Sequence, residues 1–257
     1  MSRTIRYTDG MNHLPRKSFP TTRWSIVLGA NAASEEEARD SMEKLCRMYW
    51  YPLYSYARHK GLSHHESEDQ TQAFLAHIIF SHRVGKADPG KGRFRSFLLT
   101  SFRNFLIDDW RRANSQRHGG GYCMEPIDFT QGAARFRRDP VDPAATPEEA
   151  FDQAWARELI RHAKEELRAE YKTNGRDHVF DTIEPILLED PGSVTLTPHA
   201  DRLGISPHAL SEALRRARLR LGNHVAVYLL DTVPNRTEAE QELRHLIQAC
   251  QGLSGLV

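Results

Sequence analysis

The segment that most restricts the fold is residues 93–112, RFRSFLLTSFRNFLIDDWRR. Its apolar residues recur at intervals of three and four, which predicts a helix and not a strand. The apolar face is wider than half of the circumference, so we expect the helix to pack on more than one side within a bundle. That face consists of Phe94, Leu98, Leu99, Phe102, Phe105, Leu106 and Trp110. A narrow polar stripe remains, and by itself it fits a nucleic-acid-binding edge as well as an ordinary solvated edge. The stripe consists of Ser96, Thr100, Arg103, Asn104 and Arg111.

Composition limits the class of protein. The chain has 257 residues and a formal net charge of +1, so no overall field attracts it to nucleic acid. Its three cysteines, Cys46, Cys123 and Cys250, are far apart, which argues against a disulfide framework and favours a reducing compartment. No apolar run is long enough to span a bilayer, and the N-terminal residues lack the apolar core of a signal peptide. We therefore expect a cytoplasmic protein without a membrane partner.

Positive charge is concentrated in one part of the chain. Residues 86–118 contain eight Lys or Arg and three Asp, a local excess of +5 in a nearly neutral protein. Such a cluster is the electrostatic footprint expected of a nucleic-acid-binding surface.

Helix start and stop signals divide the rest of the chain. Ser34 begins a helix that stops at Gly61, and Ser63 with Glu66 forms a capping-box pattern for a second helix to about Ile79. Residues 119–146 lack periodicity and are rich in Gly and Pro, which predicts a linker. Thr146 then starts a long helix that should end before Asn174. Further helices are predicted over residues 21–30, 177–188 (bent or ended near Pro185) and 237–250.

Residues 197–222 have the pattern of a helix-turn-helix. A short helix starts at Thr197, Gly204 supplies the turn, and a longer basic helix starts at Ser206 and ends at Gly222. Arginine on such a helix can contact guanine edges or phosphates. The alternative is a basic solvated face on an ordinary helical hairpin. The candidate DNA contacts are Ser206, His208, Ser211, Glu212, Arg215, Arg216 and Arg218.

The tripeptide His64-His65-Glu66 has the composition of a metal or phosphohydrolase fragment, but no second His or Asp cluster accompanies it. A surface pair at a helix start is the simpler interpretation. The chain also has no nucleophile elbow and no glycine loop with the spacing of a P-loop. We predict no catalytic residue, no metal site and no cofactor.

Several segments together resemble bacterial RNA polymerase sigma factors of the extracytoplasmic-function type, in the sigma-70 family. LCRMYWYPLYSYARHKGLS, ESEDQTQAFLAHI and GRFRSFLLTSFRNFLIDDWRRA are similar to the helices of sigma region 2. TPEEAFDQAWARELI and ADRLGISPHALSEALRRARLRL are similar to region 4, and FPTTRWSIVLGA resembles the leader of one subgroup. The resemblance implies an all-α protein with two small helical domains joined by a linker, the C-terminal one a helix-turn-helix. The implied segments are an arm with a short helix (1–33), a region 2-like domain (34–118), a linker (119–146), a region 4-like domain (147–232) and a tail helix (233–257).

The resemblance also implies partners and site residues. A sigma factor binds the β′ clamp coiled coil and the β subunit of core RNA polymerase and directs promoter-specific initiation. Some members are held by an anti-sigma factor or depend on a kinase. The implied polymerase-binding residues are Glu66, Glu68, Asp69 and Gln72. Those implied for the melted −10 element are Lys86, Lys91, Arg93, Arg95, Arg103, Asn104, Arg111 and Arg112. The helix-turn-helix would recognise the −35 duplex.

Two other classes of function remain open from the residues alone. A free-standing helix-turn-helix regulator would bind duplex DNA without polymerase. A helical enzyme would be built around the histidines at 64 and 65.

Overall fold

The computed structural model describes residues 35–80, 94–114, 144–190 and 192–230, together with positions 237 and 241. These residues form helices and no strands, which confirms the predicted all-α class. The helices are α1 (Glu35–His59), α2 (His64–Phe80), α3 (Phe94–Asn114), α4 (Pro147–Thr173), α5 (Asp177–Ile183), a 3-10 helix (Glu184–Ile186), α6 (Thr197–Leu203) and α7 (Pro207–Leu230). None of the helices within these ranges is both long enough and apolar enough to cross a lipid bilayer.

The chain forms two compact units, and their boundary falls within α4, between Glu158 and Leu159. The helices α1 to α3 and the first part of α4 belong to one unit, and the rest of α4 with α5, α6 and α7 as far as Leu229 belongs to the other. The predicted domain limits stay a prediction. The predicted short helix over residues 21–30, most of the linker and the tail lie outside the described residues.

Aromatic side chains build the core of the first unit, where α1 packs on α2 and α2 on α3. Phe102 is fully buried, with its ring centroid 4.9 Å from that of Phe74 on α2 and 5.9 Å from that of Tyr56 on α1. Tyr49 meets Phe94 edge to face at 5.5 Å. Such pairs add to the burial of their large apolar surfaces.

The thiol of Cys46 belongs to the same core. Burial, and secondarily the charge of Glu43, raises its pKa to about 12. The thiol is therefore protonated at neutral pH and packs as a small apolar group.

Two helix starts have capping boxes; the sequence predicts the box at Ser63 and predicts a helix start at Thr146. At α2 the Ser63 amide donates to Glu66 at 2.8 Å, and the Glu66 amide donates to the Ser63 hydroxyl at 3.3 Å. At α4 the Thr146 amide donates to Glu149 at 2.8 Å, and the Glu149 amide donates back at 3.2 Å. Each box satisfies backbone donors that the first helical turn leaves without partners.

A network of ion pairs in the second unit connects α4 with α5 and with the 3-10 helix. Arg168 lies over the ring of Phe180 at 4.8 Å, donates to Asp181 at 2.7 Å and pairs with Glu184. Lys164 pairs with Glu184 at 3.0 Å. Partial burial alone would raise the pKa of Glu184, but Lys164 and Arg168 prevail and lower it. The carboxylate therefore stays charged at neutral pH and holds the 3-10 helix against α4.

The two predicted helix ends in this unit have different outcomes. The α-helix beginning at Asp177 ends at Ile183 and continues as a 3-10 turn over Pro185, as expected for a proline that removes a backbone donor. The predicted end of the last helix at Gly222 is wrong, because α7 continues to Leu230. Val225, Ala226 and Leu229 are buried, so packing outweighs the low helix propensity of one glycine.

Phe102→Ala should lower the free energy of unfolding by about 3–5 kcal/mol, because it removes a fully buried ring between α1 and α2. Urea denaturation followed by circular dichroism measures the change. Ile107→Ala, on the exposed side of the same helix, is the control and should change stability by about 0.5 kcal/mol or less. Equal losses for the two variants would contradict this core assignment.

Candidate nucleic-acid and polymerase interface

The first turns of α2 hold the predicted polymerase-binding residues. Glu66 is exposed, and the side chain and then the backbone amide of Ser63 lower its pKa by hydrogen bonding to its carboxylate. A lowered folded-state pKa means that this stabilisation is present at neutral pH and is lost as the pH falls through that value. Glu66 thus keeps its negative charge while it also caps the helix.

The other three members of this set differ in their surroundings. Asp69 and Gln72 are exposed, and a step of three places them close together on the helix surface. Glu68 is half-buried, with a carboxylate oxygen 3.5 Å from Nε2 of His64. Between these positions, Gln70 donates to Asp109 of α3 at 2.7 Å and fixes the acidic helix relative to α3.

A group of possible metal ligands lies at the same helix start. One ligand atom from each of His64, His65 and Glu68 lies within 4.8 Å of the others. The acid that joins the histidines is Glu68, one turn along the helix from His64, and not Glu66, whose carboxylate caps the helix. The sequence pattern missed this grouping because it was judged as a contiguous tripeptide.

The outer face of α3 carries the predicted polar stripe. All five side chains of this stripe are exposed: Ser96, Thr100, Arg103, Asn104 and Arg111. Arg111 also forms an ion pair with Asp108 at 3.6 Å, and both side chains of this pair are mostly exposed to solvent. Such a surface pair contributes little to stability. The cations and the amide on this face are therefore accessible to a ligand.

Trp110 does not lie on the buried apolar face of α3, so this prediction from the sequence is wrong. It is 67% exposed, and Ile107 beside it is 42% exposed. Seven residues make almost two full turns, so Trp110 lies nearly above Arg103 on the outer stripe. An indole, a guanidinium and the Asn104 amide thus share one solvent-facing surface, which we call the α3 outer face. The heptad spacing from Arg103 to Trp110 could have revealed this from the sequence.

Arg95 faces the protein instead. It is only 6% exposed, forms an ion pair with Asp152 of α4, and lies over the ring of Trp155 at 4.8 Å. Its guanidinium is therefore engaged within the first unit. We propose that Arg95 anchors the start of α4 against α3 and does not contact a phosphate.

A second contact supports this anchor. The hydroxyl of Tyr56 lies 3.4 Å from a carboxylate oxygen of Glu148 in the first turn of α4. Burial, and then the negative charge of Glu148, raises the pKa of Tyr56 to about 12, so the hydroxyl stays protonated and can donate. Phe151 and Trp155 of α4 are fully buried in the same unit.

The structure does not describe the side chains of four residues that are predicted to contact melted DNA. Lys86, Lys91 and Arg93 lie outside the described residues, and Arg112 is within α3 but its side chain is not described.

The turn between α6 and α7 and the start of α7 lie where the sequence predicts them. Gly204 ends α6 with φ of +63°, a left-handed conformation that favours glycine, and the Ile205 amide donates to the Ala200 carbonyl at 3.1 Å. The Ser206 hydroxyl accepts from the Ala209 amide at 3.1 Å and caps α7. Apolar residues at intervals of three and four fix the buried face of α7. They are Leu210, Leu214, Ala217 and Leu221.

Most of the candidate DNA contacts of this pair are exposed. They are Ser206, His208, Ser211, Arg215 and Arg216. Glu212 is half-buried and pairs with Arg215 at 3.1 Å.

Arg218 has another role. Its guanidinium donates to the carbonyls of Leu187 at 2.9 Å, Ile186 at 3.2 Å and Glu189 at 2.8 Å, at the end of the 3-10 helix. We propose Arg218 as a structural clamp on those carbonyls. Arg202 of α6 is a further exposed cation beside the turn, and the sequence analysis did not include it.

Arg95→Ala should lower the free energy of unfolding by about 1.5–3 kcal/mol, because it removes a charged hydrogen bond and leaves the Asp152 carboxylate without this partner. Chemical denaturation measures the loss. Arg103→Ala on the exposed side of α3 is the control, with an expected change of about 0.5 kcal/mol or less. If Arg95→Ala kept full stability and lost only single-strand binding, the anchor assignment would be wrong.

Comparison with known proteins finds a family match within the first unit. Residues 45–116 match the family model for sigma-70 region 2. No curated protein and no solved structure matches the chain. Region 2 supports a role in RNA polymerase binding and promoter melting, and sigma-70 factors act in transcription initiation without being enzymes. Residues 45–116 are therefore similar to sigma-70 region 2, and the remaining residues lie outside this match.

Proposed function

We propose that the chain is a sigma factor of the extracytoplasmic-function type, which binds core RNA polymerase in the cytoplasm and directs it to specific promoters. In this proposal the region 2 domain captures melted −10 DNA, and α6 and α7 recognise the −35 duplex. The observation that carries the proposal is the α3 outer face, because it presents Arg103, Asn104 and Trp110 to solvent within the domain that matches region 2.

The α3 outer face has the chemistry that single-stranded DNA requires. An unstacked base loses its neighbours, and an exposed aromatic ring can replace them by stacking. Cations beside the ring neutralise the phosphates on either side of the base. Trp110 would supply the stacking surface, Arg103 and Arg111 the charge, and the Asn104 amide a hydrogen-bonding group for a base edge.

The start of α2 would bind the polymerase. Asp69 and Gln72 project into solvent, and Glu66 keeps its charge at neutral pH because of its lowered pKa. The resemblance assigns this surface to the β′ clamp coiled coil, and basic side chains there would be its complement. The β subunit and an anti-sigma or kinase regulator would be further partners.

The C-terminal pair would bind duplex DNA. α7 is long enough to lie in a major groove, and its first turns carry exposed groups that reach outwards. Arg215 pairs with a partly exposed glutamate on its own helix, and a guanine edge or a phosphate can replace such a surface pair. Arg216 is exposed beside it.

The test is promoter-dependent transcription by purified core polymerase with this chain as the only added factor, read as start sites over a genomic library. A sigma factor should bind core polymerase and produce discrete start sites. Failure to bind core polymerase, together with binding to duplex DNA alone, would overturn the proposal and favour a free-standing helix-turn-helix regulator.

Trp110→Ala should weaken capture of the non-template single strand by the complex with core polymerase by about 1–3 kcal/mol, the range for one base stacked on an aromatic ring. Fluorescence of a base analogue in the −10 strand measures strand capture. Val227→Ala, which removes a similarly exposed apolar side chain from α7, is the control and should leave capture unchanged. Equal capture by Trp110→Ala and the parent chain would remove the α3 outer face from the mechanism.

Arg215→Ala should weaken binding to the upstream duplex by about 1–3 kcal/mol and relax sequence preference at one position. Electrophoretic mobility of the complex on −35 variants measures both effects. Lys172→Ala, which removes an exposed cation from the end of α4, controls for the loss of one positive charge. If both variants weakened binding equally for every sequence, Arg215 would contribute charge and no base recognition.

A further inference from the structure

We propose that His64, His65 and Glu68 form a binding site for a divalent transition-metal ion, and that zinc is its natural occupant. The three residues offer two imidazole nitrogens and one carboxylate oxygen, all within 4.8 Å of one another. Two histidines and one glutamate are an established ligand set for zinc with an open fourth position. The proposal departs from our sequence-based expectation that the chain binds no metal.

The spacing of the ligand atoms favours a small ion. With zinc–nitrogen and zinc–oxygen distances of about 2.0–2.2 Å, the ligand atoms of a tetrahedral site lie about 3.3–3.5 Å apart. Nε2 of His64 and Oε2 of Glu68 are already 3.5 Å apart. They come from positions four apart on one helix, which brings their side chains to the same face. His65 is exposed, so a rotation of its side chain can bring its nitrogen to the shared point.

Tyr54 fixes the orientation of His64. Its hydroxyl lies 3.0 Å from Nδ1 of the imidazole, its ring meets the imidazole edge to face, and its side chain is almost fully buried. When Nδ1 carries the proton and donates to Tyr54, the lone pair of Nε2 points towards the Glu68 carboxylate. Two acceptors then face each other across 3.5 Å, and a cation between them satisfies both. Metal-bound histidines are commonly held by such a hydrogen bond on the other ring nitrogen.

The ligand types favour one class of metal ion, and the site is accessible from solvent. Imidazole ligands favour zinc, copper and nickel over calcium and magnesium, which prefer oxygen. The side chains of His64 and Glu68 are 33% and 22% exposed, so water can reach the fourth position. Glu66 and Asp69, which are exposed on the neighbouring turns, add negative charge that attracts a cation.

The site has a consequence that rests on the proposed function. Glu68 belongs to the set proposed to bind polymerase, and a bound zinc ion would neutralise its carboxylate and occupy its oxygen. Zinc should therefore weaken docking of the region 2 domain on core polymerase, and removal of zinc should restore it.

The test of the site is calorimetric titration of the full chain with zinc chloride. The parent chain should bind a single zinc ion at this site. His65→Gln and Glu68→Gln, which change one exposed and one half-buried ligand, should each lose at least about 10-fold in affinity, and Tyr54→Phe about 10–100-fold. The matched control His178→Gln removes an exposed histidine from α5 and should bind as the parent does. Circular dichroism without metal shows that each variant is folded.

Unchanged zinc affinity in both His65→Gln and Glu68→Gln would overturn the site and place any binding on other histidines of the chain. Cobalt provides a second readout, because the visible bands of a tetrahedral cobalt site should appear in the parent and be lost in these two variants.

A separate measurement isolates the consequence for docking. Binding to core polymerase is compared with and without zinc for the parent and for His65→Gln. Zinc should weaken binding of the parent and not of the variant. No core binding under either condition would contradict the proposed function and leave the metal site standing. Core binding unaffected by zinc in a chain that does bind zinc would contradict only the proposed coupling.

Discussion

The contact of Phe102 with Phe74 and Tyr56 determines how α3 is rotated about its axis, and much of the functional surface follows from that rotation. With Phe102 buried, residues on other sides of the helix can face solvent. Arg103 and Trp110, two turns apart, then lie on the same exposed stripe. The apolar core and the proposed DNA surface are therefore two sides of one helix, and a change in core packing would redirect the outer face.

Burial separates the arginines with a structural role from those that remain available to a ligand. The buried Arg95 pairs with Asp152, and the half-buried Arg218 donates to backbone carbonyls. Moving such a group to a phosphate would leave polar partners unsatisfied, and that costs more than a surface contact returns. Arg103 and Arg216 carry no such cost because their side chains are exposed. Basic residues in a sequence motif are thus not equivalent candidates for nucleic acid.

The sequence predicted the elements better than it predicted the surroundings of individual side chains. The capping box at Ser63, the helix start at Thr146 and the turn at Gly204 are local signals, and the structure confirms each of them. The buried state of Arg95 could not be predicted, because its partner Asp152 is 57 positions away and belongs to another helix, α4. The prediction for Trp110 is wrong because its apolar character favours the core, whereas its seven-residue spacing from Arg103 places it on the outer stripe. The α7 helix continues past Gly222 because distant packing outweighs a local stop signal.

The carboxylates at the start of α2 have different roles, and each role follows from the position of the residue along the helix. Glu66 lies three residues after Ser63, where its carboxylate accepts from the backbone and stabilises the helix end. Glu68 lies four residues after His64, on the face that meets the imidazole. Asp69 projects into solvent. A cation bound at His64 and Glu68 would change the charge of this surface without disturbing the cap, because the cap uses Glu66. The proposed polymerase surface could therefore be modulated while the helix that carries it stays intact.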